Sequence, residues 1–452
     1  MTDTVTRALV DHALSREWAL LSDPAQTAAR LFFEDTLCVG IAGRSAPNAD
    51  KVLAAAQRWS GTGSARVLGR SGVLLTPPYA AFVNGFQIHA QEYDCVHEGA
   101  VAHPLATVLA VLLSAIDTRA VTGQDMLAAL VAGVDIVAAL GIAVTSPLKF
   151  FRPATAGIFG STAALARLHR LDAVTAQAAF GHALAFTSGT MQAHIEGKPG
   201  LALQVAAAAR SAVEAVDLAM LGIPAPAAAI EGPFGYARLF EDAFDADRMV
   251  AELGKSERVC ELSWKPFPTG RAGHGAIVAL QAMMHVDGLS IDTLHRWTYR
   301  APPLIARLVG RRPIKGMGPP YARLCLPYLA AITLQKGTVG LSDFDERSLF
   351  DPATLALTDR FAIESDDNPD PSAFVPAVAR AELKDGTVLK RRVEKMLGAP
   401  DWPLSLEQHR AKATSCLEFG GLAAAGPALR DLVARIDQVQ DIAAALSSAF
   451  GE

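Results

Sequence analysis

The sequence predicts a mostly α-helical protein, in which a large helical domain is joined to a smaller α/β domain. Hydrophobic residues make up 51% of the 452 residues and charged residues 19%, which is typical of a globular chain long enough for more than one core. Alanine-rich segments with helical periodicity fill the first half, and β-branched and charged residues replace alanine after Ser263. Helical patterning returns near the C-terminus. We therefore predict a helical domain formed by residues 1–262 and 402–452 and an α/β domain formed by residues 263–401.

Two helices of the first half have clear signals. Ser22-Asp23-Pro24 combines a capping side chain with a first-turn proline, so a helix is expected to start there and to end at Gly43. The run 126–144 approaches the length of a membrane span. Asp135 lies in its middle, where a charge costs roughly 2.5–3.5 kcal/mol on insertion scales. We interpret this run as a buried core helix and predict no membrane contact.

Alternating patterns predict the strands of the smaller domain. Residues 293–302 alternate in polarity, and residues 378–395 read as a hairpin whose arms flank Asp385-Gly386, a pair typical of a type I′ turn. Residues 349–372 are interpreted as strands and acidic loops.

Composition argues against several functional classes. The formal charge is −5 and no Lys/Arg-rich run is present, so no nucleic-acid partner is expected. The five cysteines show no CxxC spacing and indicate reduced cytosolic thiols. The N-terminal residues contain no apolar signal segment, which leads us to expect a cytoplasmic protein.

The stretch 84–104 concentrates proton-handling side chains between two apolar segments. It contains His89, Glu92, Tyr93, Asp94, Cys95, His97, Glu98 and His103. Buried polar groups are costly unless they are paired or used. His97 and His103 with Asp94 could ligate a metal, but no HExxH spacing is present, and acid/base chemistry is the preferred interpretation. The alternative is that these residues only brace a loop.

Three further short stretches differ from their surroundings. Residues 194–200 place Lys198 between glycines, and residues 264–274 carry Lys265, Arg271 and His274 on a Pro/Gly-rich loop that leads into a helix. Such a loop can bind a carboxylate. In residues 321–331, Pro327 precedes Tyr328 within a helical pattern. Each residue alone is more often structural; their joint occurrence favours a functional site.

Together these residues resemble the MmgE/PrpD family, whose members include 2-methylcitrate dehydratases, cis-aconitate decarboxylases and an iminodisuccinate epimerase. The matching motifs are Asn84-Gly85, the acidic-aromatic-Asp run ending in His103-Pro104, Arg152-Pro153 with Gly157 and Gly160, Lys198-Pro199, Lys265-Pro-x-Pro-x-x-Arg271-x-x-His274, Leu326-Pro327-Tyr328, and Gly398 leading to Pro403-Leu404-Ser405. The resemblance implies a helical domain with an α/β lid, a site in the cleft between them, a homodimer, and neither a metal nor an organic cofactor.

Position by position, the resemblance implies that His103, Lys198, Lys265 and Tyr328 line the site, with Arg271 and His274 in the motif after Lys265. Two departures stand out. Family members usually show Asp-aromatic-Asp-Asp-Thr where this chain has residues 92–96, Glu-Tyr-Asp-Cys-Val, and many have His where this chain has Arg152.

The expected chemistry is removal or delivery of a proton on carbon next to a carboxylate of a small polycarboxylate. We assign His103 as the acid or base, Glu92 or Asp94 as the group that orients it, and Tyr328 or Lys198 as its opposite partner. The residues expected to bind substrate are Lys265, Arg271, Arg152, His274 and His97, with Lys198 as a further cation.

Dehydration is the leading interpretation, as in 2-methylcitrate dehydratases. Epimerisation of an amino-linked dicarboxylate such as iminodisuccinate and decarboxylation of cis-aconitate are the alternatives within the family. A metal-dependent hydrolase is the alternative from outside it, and a catalytically inactive helical scaffold is a third class.

Overall fold

The computed structural model describes residues 4–451. Its strands are β1 (Ala65–Arg66), β2 (Leu74–Leu75), β3 (Leu294–Ala301), β4 (Phe361–Ser365), β5 (Ala377–Leu383) and β6 (Val388–Val393). Its helices are α1 (Val5–Leu14), α2 (Asp23–Gly43), α3 (Ala49–Trp59), α4 (Pro77–His89), α5 (Pro104–Ala115), α6 (Gly123–Ile142), α7 (Arg152–Thr155), α8 (Gly157–His169), α9 (Ala173–Phe186), α10 (Gln192–Glu196), α11 (Gly200–Met220), α12 (Tyr236–Phe240), α13 (Ala246–Glu252), α14 (His274–Asp287), α15 (Pro303–Val309), α16 (Pro319–Ala322), α17 (Leu326–Lys336), α18 (Glu346–Leu349), α19 (Pro352–Leu357), α20 (Leu406–Phe419), α21 (Gly426–Ala434) and α22 (Ile442–Phe450).

The predicted fold class is confirmed: a large helical body carries a small α/β region. Helix α2 has the expected bounds, because Ser22 caps it by accepting from the backbone N–H of Ala25. Helices α6 and α8 cross at small residues. A Cβ on Gly160 would lie 2.2 Å from Cγ2 of Val137, so only glycine permits this close approach.

Helix α6 is long and apolar enough to cross a membrane, but 89% of its apolar window is buried inside the protein. Asp135 lies in this helix, accepts a hydrogen bond from the backbone N–H of Arg258 at 2.9 Å and contacts Nε2 of His12 at 3.0 Å. The interpretation of this run as a core helix is confirmed, since its one carboxylate is paired within the protein.

The smaller region is built on a four-stranded sheet in the order β4-β3-β5-β6. Strands β3 and β4 are parallel, whereas β3–β5 and β5–β6 are antiparallel. Helices α14 and α17 pack on this sheet and on each other. All four strands fall within the range 263–401 that we predicted for the α/β domain, and the domain boundaries themselves stay a prediction.

Two details of the sheet differ from expectation. The β5–β6 hairpin is present, but the turn is not of type I′, which needs positive φ at both central residues. Only Gly386 has a positive φ, of 89°, and the backbone N–H of Leu383 donates to the carbonyl of Thr387 at 2.8 Å. The prediction of strands and acidic loops in 349–372 also holds only in part: β4 is a strand followed by an acidic loop, but Pro352–Leu357 is helix α19. Asp351 caps α19 by accepting from the N–H of Thr354, which starts a helix that β-propensity alone did not indicate.

The C-terminal helices return to the body. Helices α20 and α21 pack against α2, and the backbone N–H of Gly123 donates to the carbonyl of Val439 at 2.8 Å. The loop between α4 and α5 lies where the body meets the smaller region, because Val96 pairs with Ser263 in an antiparallel bridge. This loop, residues 90–103, carries most of the polar cluster that the sequence singled out.

Candidate active site

Asp94 holds two imidazoles in the loop between α4 and α5. Its Oδ2 lies 3.0 Å from Nδ1 of His103 and 3.1 Å from Nδ1 of His89, and the Asp94 side chain is fully buried. Burial alone would raise the pKa of Asp94, but the charges and hydrogen bonds of His89 and His103 outweigh it and keep that pKa well below its usual range. Asp94 is therefore a carboxylate that accepts from both rings.

The surroundings of His103 favour its neutral form. Burial lowers its pKa, and the nearby charges of Lys265 and His89 act in the same direction against the opposing effect of Asp94. With the Nδ1 proton donated to Asp94, the lone pair of Nε2 is free to accept a proton. The sequence-based assignment of a carboxylate behind His103 is consistent with this geometry, and that carboxylate belongs to Asp94.

Glu92, the alternative to Asp94 for orienting His103, pairs with Lys265. Its Oε2 and its backbone carbonyl accept from Nζ of Lys265 at 3.1 and 3.0 Å, and its Oε1 lies 3.6 Å from Nε2 of His89. Burial would raise the pKa of Glu92, but Lys265, His89 and His103 together lower it to about 2. The carboxylates of Asp94 and Glu92 raise the pKa of His89, although burial alone would lower it.

A cavity of about 580 Å³, part of it open to solvent, lies in front of His103 and Glu92. Most of its wall is apolar and includes Val101, Leu148, Phe151, Leu308, Leu324 and Phe374. Helix α7 and the loop before it, the segment before α11, and the loops of the smaller region all contribute to this wall. A small organic molecule here would meet few polar groups, so those present decide its orientation.

Two predicted substrate-binding arginines are held by internal carboxylates. Arg152 is not at the cavity: its Nε donates to Glu241 at 3.0 Å and its Nη1 to the carbonyl of Ala100 at 3.0 Å, and its side chain is 1% exposed. Its assignment as a substrate ligand stays a prediction that this geometry does not favour, because the body supplies its counter-ion. Arg271 does line the cavity, but its Nε donates to Glu98 at 2.8 Å and its Nη1 to the carbonyl of Leu397 at 2.6 Å.

Both predicted substrate-binding histidines brace the backbone. Nε2 of His97 lies 2.9 Å from Oε2 of Glu261, and its Nδ1 accepts from the N–H of Ala100. His274 is fully buried, with Nε2 at 3.4 Å from the carbonyl of Thr269. Burial and the neighbouring cations lower the pKa of His274 well below its usual range. Neither ring lies at the cavity wall, so the structure does not favour their assignment to substrate, which stays a prediction.

Tyr328 is buried in a separate apolar cluster of the smaller region, and its hydroxyl donates to the carbonyl of Asp343 at 2.7 Å. Its assignment as a proton carrier opposite His103 stays a prediction that this contact does not favour, since the hydroxyl proton is donated to the backbone. Lys198 is exposed at a second cavity, which shares Glu92 and Leu201 with the first. It stays a candidate at the mouth of the site.

Sequence reasoning did not select His194, which lines the cavity. Its Nε2 lies 3.1 Å from the carbonyl of Leu308, and its Nδ1 lies 3.2 Å from Nη2 of Arg311. Burial and Arg311 lower its pKa to about 4, so its ring is neutral. The stretch 194–200 had been noted for Lys198, and His194 stood in it. His89 also stood in the central cluster and was given no role.

The side chains of His89, Asp94 and His103 offer ligand atoms that all lie within 4.8 Å of one another, which is close enough to hold a metal ion. The Nδ1 atoms and Oδ2 are already used in hydrogen bonds, while Oδ1 of Asp94 and Nε2 of His89 have no hydrogen-bond partner among the described residues. The donor set therefore suits either a hydrogen-bonded triad or, with loss of those bonds, a cation.

Comparison with known proteins matches two family models to this chain. The model of the MmgE/PrpD N-terminal domain matches residues 7–249, and that of the MmgE/PrpD C-terminal domain matches residues 267–438. Cis-aconitate decarboxylase of Mus musculus is 27% identical over 414 residues, which cover 87% of this chain and 82% of that protein. Cis-aconitate decarboxylase of Homo sapiens is 25% identical over 421 residues, which cover 88% and 85%. This chain belongs to the MmgE/PrpD family.

Proposed function

We propose that this protein is a lyase that removes a proton from carbon next to a carboxylate of a small polycarboxylate, without a cofactor, and that the proton leaves to His103. The observation that carries the proposal is the pair of His103 and Asp94 at the wall of a mostly apolar cavity. A neutral imidazole fixed by a buried carboxylate is a general base, and the carboxylate stabilises the imidazolium that forms.

Dehydration of a hydroxy-polycarboxylate requires only this one residue. Nε2 of His103 takes the proton on carbon, the carbanion expels the neighbouring hydroxyl as hydroxide, and the imidazolium returns the proton to give water. The negative charge that develops on the substrate carboxylate is stabilised by the buried ammonium of Lys265, which pairs with Glu92 at the cavity wall and acts electrostatically on His103.

Decarboxylation is the second candidate, and a specific observation favours it. The two curated relatives described above are cis-aconitate decarboxylases, and the cavity wall is largely apolar. Loss of CO₂ from an unsaturated polycarboxylate leaves a carbanion, which then takes a proton. His103 would be the donor after the anionic substrate had raised its pKa.

Epimerisation is less well supported, because it needs proton carriers on both faces of one carbon. Tyr328 is occupied away from the cavity and the ring of His194 is bonded through both nitrogens, so Lys198, exposed at the neighbouring cavity, is the remaining candidate for the second carrier. A homodimer and a cytoplasmic location stay predictions.

The proposal is tested by incubating the protein in D₂O with 2-methylcitrate, cis-aconitate and iminodisuccinate and following each by NMR. We expect deuterium at the carbon next to a carboxylate together with loss of water or CO₂, and a fall of roughly 10²–10⁴-fold in the His103→Gln variant. Equal turnover in a folded His103→Gln variant would contradict the proposal. A requirement for zinc or manganese, found by elemental analysis and chelation, would support the metal-dependent hydrolase instead.

A further inference from the structure

Three buried cations donate to three successive carbonyl oxygens beside the catalytic carboxylates. Nη1 of Arg323 donates to the carbonyl of Gln91, Nζ of Lys265 to that of Glu92, and Nζ of Lys412 to that of Tyr93, each at 3.0 Å. All three residues are buried: Arg323 is 2% exposed, Lys265 is 0% exposed and Lys412 is 5% exposed. We call these three residues the carbonyl clamp.

The clamp joins three distant parts of the chain. Arg323 precedes α17 in the smaller region, Lys265 lies in the loop after the body, and Lys412 lies in α20 of the C-terminal segment. Each is anchored a second time: Arg323 donates to the carbonyl of Pro268 at 2.7 Å, and Lys412 lies 2.7 Å from Oδ1 of the buried Asp35. The positions of the three carbonyls therefore depend on how the helical body and the smaller region pack against each other.

The clamped backbone has an unusual conformation. Glu92 has a φ of +50°, in the left-handed region that a residue with a side chain rarely adopts. Such a residue persists only where its surroundings hold it. The turn directs the Glu92 side chain to Lys265 and the next acidic side chain, Asp94, to His89 and His103.

Neutral donors would satisfy buried carbonyls at a smaller desolvation cost than cations. Two of the positive charges have a second effect: Lys265 lowers the pKa of Glu92, and Arg323 interacts electrostatically with the same carboxylate. We propose that Arg323 and Lys412 are positioning residues of the site: they act through the carbonyls of Gln91 and Tyr93 to fix Asp94, and through Asp94 the ring of His103. Of the two tests below, only the measurement of turnover rests on the proposed function.

The first test needs no substrate. The imidazoles of ¹⁵N-histidine-labelled protein are titrated by NMR, with the signals of His103 and His89 assigned from the His103→Gln and His89→Gln spectra. In Lys412→Met and Arg323→Met we expect the His103 and His89 signals and their pKa values to move, while the His182 signal stays in place. Lys255→Met, which removes an exposed lysine with a carboxylate partner, is the matched control and should leave all three unchanged.

The second test measures turnover on the substrate found active. We expect kcat to fall by about 100-fold with a smaller change in KM, as for a displacement of about 1 Å in a catalytic group. Lys412→Arg should recover part of the loss. Because Lys412→Met leaves Asp35 buried without its partner, the double variant Asp35→Asn/Lys412→Met is measured as well.

The outcomes separate the two proposals. Folded clamp variants with wild-type histidine titrations overturn the positioning role, even if their thermal stability falls. Shifted titrations in a protein that processes none of the polycarboxylates support the clamp and count against the proposed function.

Discussion

Two buried ion pairs of the same chemical kind lie in different surroundings in this protein. Lys265 with Glu92 and Arg152 with Glu241 each join a cation to a glutamate that is distant in sequence. The first pair lies beside His103 at the cavity, where Glu92 forms part of the wall. The second is sealed in the body, where Glu241 also accepts from the hydroxyl of Tyr236 at 3.1 Å.

The comparison shows that a cation in a motif is not by itself a substrate ligand. Lys265, Arg152 and Arg271 were all expected to face an anionic substrate, and each already has a glutamate partner. These ion pairs differ in whether a cavity lies beside them. A pair beside a cavity can respond to a ligand, whereas a sealed pair contributes only to the folded state.

The largest effects are expected when the cation of each pair is removed, because one loss should lower turnover and the other should lower stability. We expect Lys265→Met to lower turnover by roughly 100-fold or more, because a charge next to the reacting carboxylate is lost. Arg152→Met should instead lower the free energy of unfolding by about 3–5 kcal/mol, since Glu241 is left buried and unpaired. Steady-state kinetics and urea unfolding of both variants measure the two effects.

The double variant Arg152→Met/Glu241→Gln is the control for the sealed pair and should regain most of the lost stability. An Arg152→Met protein of wild-type stability with a large loss of turnover would place Arg152 back in the catalytic site.

A smaller effect concerns pH. His103 must be neutral to accept a proton, and burial lowers its pKa below the ordinary value of 6.5. The rate constant kcat/KM should therefore stay high as the pH falls through 6.5 and be lost only at lower pH, when His103 becomes protonated. The pH–rate profile of the wild-type protein measures this acid limb.

Asp94→Asn sharpens this prediction, because it removes the group that raises the pKa of His103, so the acid limb should move to still lower pH as turnover falls. Glu261→Gln changes the similar pair at His97, which does not reach the cavity, and should leave the profile unchanged. An acid limb well above 6.5 in the wild-type protein would contradict the assignment of His103 as the base.

The smallest effect is expected at Tyr328. Tyr328→Phe removes a hydrogen bond to the carbonyl of Asp343, which should cost about 1 kcal/mol of unfolding free energy and leave turnover nearly unchanged. Denaturant unfolding and kinetics of this one variant test both statements. A hundredfold loss of turnover at unchanged stability would return Tyr328 to the role that sequence reasoning gave it.

The fold class, the core helix α6 and the polar stretch that holds His103 and Asp94 could be predicted from the amino-acid sequence. These follow from local signals: the helical period, the capping side chain of Ser22, and an unusual density of titratable groups between apolar runs. The hairpin of β5 and β6 was also predictable from alternation, although its turn type was not, because Asp385-Gly386 suits more than one turn.

Only the tertiary structure decided which charges are free and which are paired. The partners of Arg152, Arg271 and Lys265 lie 89, 173 and 173 residues away in the chain, and no local pattern shows that a distant glutamate neutralises them. The same reason hid Lys412 and also Arg323, although Arg323 lies in the stretch 321–331 that was noted for Tyr328. Electrostatic interactions depend on distance and burial, and both are set when the body, the smaller region and the C-terminal helices pack together.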